Sequence, residues 1–154
     1  MNRSASVAAA LFLFFRAGAA LAVCNVSATG VSFGAYDVFS VTPLDSTGSV
    51  TVSCDEAPAP VVVITIGPSG VSGGFNPRAL GHSSLPDRLN YNLFVDPGMS
   101  VAWGDGTAGT STVTLPKVKK KQPPRVTTIY GRIPARQDVS VGNYSDRLTV
   151  TITW

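Results

Sequence analysis

One histidine, His82, and two cysteines, Cys24 and Cys54, are the whole supply of imidazole and thiol in 154 residues. That scarcity excludes a zinc site built from several Cys and His ligands. It also removes most general-base and nucleophile pairs. No GxSxG elbow, HExxH helix or P-loop occurs. Charged residues make up only 14% of the chain, and no apolar run reaches the roughly 20 residues that a membrane-spanning helix needs. No stretch holds an apolar 3.6-residue rhythm, so no amphipathic helix is expected. What remains is a succession of turns and short β-branched runs.

The first 22 residues have the layout of a secretory signal peptide. Arg3 lies in the opening MNRSAS, VAAALFLFF is a short apolar run, and Ala20-Leu21-Ala22 is a small-x-small cleavage signal. Ala17-Gly18-Ala19 is a second candidate cut. Removing 22 residues from 154 leaves 132, one domain with a real core, expected at 23–154. Arg3 and Arg16 leave with the leader, so ten basic residues face nine acidic ones and the net charge drops from +3 to +1. A nearly neutral chain gives no case for nucleic acid as partner. In an exported chain a lone pair of cysteines reads as a disulfide, Cys24–Cys54.

Strands are expected at Ser49–Cys54, Val61–Ile66, Leu89–Val95, Ser111–Leu115, Val126–Ile133 and along the ending LTVTITW. In that ending Leu148, Val150, Ile152 and Trp154 alternate with Thr149, Thr151 and Thr153, the mark of a half-buried strand. Gly, Pro, Asn and Asp punctuate the gaps, as in DEAPAP, GPSGVSGG, WGDGTAG and VGNYSD. Short strands at close spacing in a domain of this size predict an all-β sandwich. Asp87, Asp96, Asp105, Asp138 and Asp146 sit beside turn signals, where aspartate usually bonds its own backbone. His82 reads as a loop residue in a Gly/Ser-rich stretch. Phe33, Tyr36, Tyr91, Trp103, Tyr130 and Tyr144 read as core or corner aromatics, and Arg132, Arg136 and Arg147 as partners for turn aspartates. No cofactor, metal site or catalytic residue is expected. Lys117, Lys119, Lys120 and Lys121 form a local basic loop, either solvated or a contact for an anionic surface.

Several blocks occur in a fixed order: Cys24, FGAYD (33–37), SVTVSC, NYNLF, Trp103-Gly104, YGRIPARQ (130–137) and VGNYSDRLTVTITW. In this order they resemble the spore coat protein U family, which includes the pilin subunits of archaic chaperone–usher pili. The resemblance covers essentially 24–154. It implies an immunoglobulin-like sandwich that lacks its last strand and leaves a groove beside the terminal strand. Leu148, Val150, Ile152 and Trp154 would line that groove. A periplasmic chaperone would fill it first and a neighbouring subunit later, by β-strand addition. An outer-membrane usher and other pilus or coat subunits are the further partners implied, with a location reached through the periplasm at the cell surface, in a pilus or a spore coat. The competing readings are a tip adhesin or carbohydrate-binding module, and an enzyme on a sandwich scaffold. With only Val23 ahead of Cys24 after cleavage, the expected subunit accepts a strand without donating one.

Overall fold

The computed structural model describes residues 24–54, 61–118 and 123–154, and they are strands and turns with no helix among them. The leader with its cleavage sites, the DEAPAP turn and Lys119–Lys121 lie outside the described residues. The strands are β1 (Cys24–Thr29), β2 (Leu44–Cys54), β3 (Val62–Ile66), β4 (Arg78–His82), β5 (Arg88–Phe94), β6 (Val113–Leu115), β7 (Arg125–Ile133), β8 (Tyr144–Ser145) and β9 (Val150–Thr153).

Alternation decides which side of each strand is buried. Val62, Ile64 and Ile66 of β3 are buried while Val63 and Thr65 are half-exposed, and Leu89, Tyr91 and Leu93 do the same on β5. Burying those faces requires two layers. One sheet runs β1-β2-β7-β5-β4-β8 and the other β6-β3-β9, with antiparallel pairing throughout. The described residues are therefore all-β in two sheets, an arrangement consistent with a β-sandwich. Its core joins Val50 and Val52 of β2, Ile129 and Ile133 of β7 and the β5 face to the inner residues of β3.

Two buried residues fasten the layers. Trp103, fully buried, donates its backbone N–H to the Leu93 carbonyl of the large sheet at 2.8 Å. Its indole N–H donates to the Ile64 carbonyl of the small sheet at 3.2 Å. Arg78, also fully buried, donates to the carbonyls of Gly67 at 3.0 Å and Trp103 at 2.8 Å and to Asn92 Oδ1 at 2.8 Å. Its guanidinium lies 5.3 Å from the Phe75 ring centroid. Burial pulls the Arg78 pKa down, because the charged form loses water. Carbonyl and amide dipoles stand in for the carboxylate that a buried arginine normally finds.

The Cys24–Cys54 disulfide joins register partners across β1 and β2. Arg132 and Asp45 form the bidentate pair suited to a planar guanidinium, with both contacts at 2.7 Å. Arg136 and Arg147 serve other ends: Arg136 takes a left-handed turn conformation, φ 58°, and Arg147 gives its backbone N–H to Asp146. Asp105 accepts the hydroxyl and then the backbone N–H of Thr107, Asp96 accepts the backbone N–H groups of Val101 and Ser100, and those bonds hold both carboxyls below the usual range. The corner aromatics are in place: Tyr144 donates to the Ser140 carbonyl at 2.8 Å and Tyr36 to that of Pro134 at 2.9 Å.

His82 is a correction. It ends β4 instead of lying in a loop, because pairing with β5 and β8 extends that Gly-containing segment. Its Nδ1 accepts the N–H groups of Ser84 and Leu85, and its Nε2 lies 3.2 Å from the Val141 carbonyl. Both ring nitrogens are committed to the backbone.

Candidate functional site: the open edge of the last strand

β9 has a neighbour on one side. It pairs with β3 through Val63↔Thr153, Ile64↔Ile152, Thr65↔Thr151 and Ile66↔Val150. The next pair outward, Gly67 with Thr149, is hydrogen-bonded: the Gly67 N–H donates to the Thr149 carbonyl at 2.8 Å. In an antiparallel ladder bonded and non-bonded pairs alternate. Thr149, Thr151 and Thr153 therefore turn their backbone groups toward β3. Val150 and Ile152 turn theirs to the opposite edge, where no strand pairs among the described residues. The same phase directs side chains. Leu148, Val150 and Ile152 are half-buried and pack against the core, while Thr149, Thr151 and Thr153 are exposed.

Beside that edge a cleft of about 230 Å³ opens between the sheets. Leu148 and Val150 form one wall, and Ala28 to Val31, where the chain leaves β1, form the other. Ile66, Tyr91, Leu93 and Ile129 make the floor. The cleft continues into a wider space of about 800 Å³ between residues 31–39 and 139–146, floored by Leu80, Leu89 and Ile133. Asp146 lies on the lining of both parts. At the far lips Phe39 and Val141 are 87% and 101% exposed, and both line the wider part.

The residues singled out in the sequence separate here. Leu148 and Val150 line the cleft; Ile152 packs against the core beyond its end. Trp154, expected on the same inward face, is 53% exposed. Lys117 is exposed at φ 49° and directly precedes buried Val118, which pins that end of the basic loop to the core.

Two contributors escaped the sequence reading. The segment leaving β1 crosses the inner face of the large sheet, and Phe33 meets Tyr91 edge-to-face at 6.0 Å. This crossing needs a glycine beneath it: a Cβ on Gly131 would come within 2.8 Å of both Val31 and Phe33. The second is Asp146, read as a turn aspartate. Its Oδ1 accepts the N–H groups of Gly70 and Arg147, but its Oδ2 accepts the Tyr91 hydroxyl at 2.8 Å on the cleft floor. Burial, followed by that bond to a carboxylate, pushes the Tyr91 pKa far up, so the hydroxyl stays a donor. The only advance signal was parity: Asp146 is in step with Leu148, Val150 and Ile152.

This geometry offers backbone donors and acceptors beside an apolar cleft that Leu148 and Val150 line at alternate positions. It suits the binding of an extended chain. Among the described residues no group of three or more His, Cys, Asp or Glu is placed to hold a metal ion.

Comparison with known proteins gives two matches. A family model described as the Spore Coat Protein U domain matches residues 10–151. Protein U of Myxococcus xanthus is 31% identical over 132 residues, covering 80% of this chain and 71% of that protein.

Proposed function

The chain belongs to the Spore Coat Protein U domain family, and we propose on that footing that it is a structural subunit of a surface coat or pilus, completed in trans by a donated β-strand. In this reading residues 1–22 are a signal peptide removed on export, and 23–154 form the mature subunit. A periplasmic chaperone lends the first strand, an outer-membrane usher passes the subunit outward, and a neighbouring pilus or coat subunit supplies the permanent strand. The Lys117–Lys121 loop is a solvated edge or a contact for an anionic surface.

One observation carries the proposal. The backbone groups of Val150 and Ile152 face away from β3, and an apolar cleft runs along the same edge. Open edges of this kind template pairing with another chain, and soluble proteins normally cover or charge them. Here Leu148, Val150 and Ile152 bring apolar side chains to it instead. A donated strand would cover the edge, fill the cleft and bury the exposed lips at Phe39 and Val141.

The test is to append a flexible linker and an alternating apolar strand after Trp154 and to follow amide hydrogen exchange. The reading expects the Val150 and Ile152 amides to become strongly protected, with Thr151 and Thr153 changing little because they already face β3. A rise in stability without protection at those two amides would refute it.

A further inference from the structure

Resting on that strand-completion reading, we propose that Asp146 sets the register of the incoming strand by receiving one cationic side chain. The occupant would be an extended segment of another protein that alternates apolar residues inward but carries a lysine or arginine at one inward position.

The argument begins with parity. Asp146, Leu148 and Val150 lie at successive two-residue steps and all three line the cleft, with Ile152 continuing the parity on β9, so they are placed to meet successive inward positions of a strand laid beside them. Three of these positions are apolar and the fourth is a carboxylate. An alternating strand with no polar member would therefore lay hydrocarbon over Asp146 and take its charge further out of water without a countercharge.

Charge points the same way. The two parts of the cleft are lined by the carboxylates Asp37 and Asp146 and, among the described residues, by no Lys, Arg or His. Arg78 is the cation nearby, but it is fully buried, does not line the cleft, and is committed to the carbonyls of Gly67 and Trp103 and to Asn92. It acts on Asp146 only through space.

Valence leaves room for one more donor. An ionised carboxylate offers about four lone-pair sites. Gly70 and Arg147 occupy two on Oδ1, and Tyr91 occupies one on Oδ2. The remaining site belongs to the oxygen that shares the cleft floor with Tyr91. An anionic side chain there would be repelled, and an uncharged one would forgo the ionic contact.

The experiment uses the full disulfide-bonded chain refolded with fluorescein-labelled peptides of about nine residues, roughly 30 Å when extended. They alternate valine inward and threonine outward, with one inward valine replaced in turn by lysine or by norleucine, which keeps lysine's four-carbon stem without its ammonium. Fluorescence anisotropy should show lysine ahead of norleucine by about fivefold at one inward position only. The gap should shrink with added salt and vanish in Asp146→Asn. Should norleucine match or exceed lysine at every inward position while the peptides bind, the register assignment is wrong and strand completion stands. Should no peptide bind, strand completion fails and takes this inference with it. The wild-type comparison needs no variant, so a misfolded Asp146→Asn chain would leave the result readable.

Discussion

Ile152→Asp and Thr151→Asp place the same carboxylate one residue apart on β9 and should differ sharply. Ile152 is half-buried, packs against the core and stands opposite Ile64, which is fully buried. Removing about half of an isoleucine's burial costs about 1 kcal/mol. Turning a carboxylate toward that core adds about 2 kcal/mol, less than for a sealed interior because the position is only half-buried. Thr151 is exposed and stands opposite Thr65, so its replacement costs at most about 1 kcal/mol, through the poor fit of aspartate to a strand. The expected gap is about 2 kcal/mol. With a urea slope of roughly 2 kcal/mol/M, it separates the unfolding midpoints by about 1 M. Fluorescence of Trp103, buried between the sheets, reports the transition. Equal midpoints for the two variants would mean that the faces of β9 are assigned wrongly.

Replacing both Cys24 and Cys54 by serine should cost about 3.5 kcal/mol, the loop-closure value for a separation of 30 residues, read as a lower urea midpoint at unchanged core fluorescence. Gly131→Ala should cost about 1–3 kcal/mol through overpacking against Val31 and Phe33; a neutral result would show that the crossing segment is not held against β7. The bond to Arg132 holds the Asp45 carboxyl below its usual range. A depressed carboxylate contributes stability above its unfolded pKa, near 4, and loses it as pH falls through the folded value. Unfolding midpoints should therefore fall below about pH 4. Asp45→Asn should flatten part of that limb, by less than about 1 kcal/mol because the pair is 38% and 42% exposed.

Periodicity made some of this fold legible and hid the rest. β3, β5 and β7 alternate because one face of each meets the core, and that contrast is written in Val, Ile and Leu against Thr and Asn. β1 shows no such pattern, since as an edge strand it is exposed at every position after Cys24. β4, RALGH, buries the adjacent residues Arg78 and Ala79, which no two-residue rhythm would select. Its strand character comes from pairing with β5 and β8, a long-range fact. A buried arginine is the last thing composition suggests, because charged side chains are rarely fully inside. For the site, Leu148 and Val150 could be read from alternation. Asp146 looked like its turn-bound neighbours, and its partnership with Tyr91 spans 55 residues.

The cleft itself follows from an imbalance between the layers. Six strands cannot be covered by three, so part of the inner face of the large sheet needs another lid. The segment after β1 supplies it by laying Val31 and Phe33 over Gly131, with Phe33 against Tyr91. That lid lies on the large sheet and offers β9 no strand to pair with. A gap is left between an internal cover on one side and the open edge of β9 on the other, with Tyr91 and Asp146 at its base. Closing the gap from within would require another strand beside β9, and among the described residues there is none. The alternation that buries Leu148, Val150 and Ile152 is the same one that turns the backbone of Val150 and Ile152 outward. Core packing and the proposed strand capture therefore rest on a single register and cannot be tuned separately.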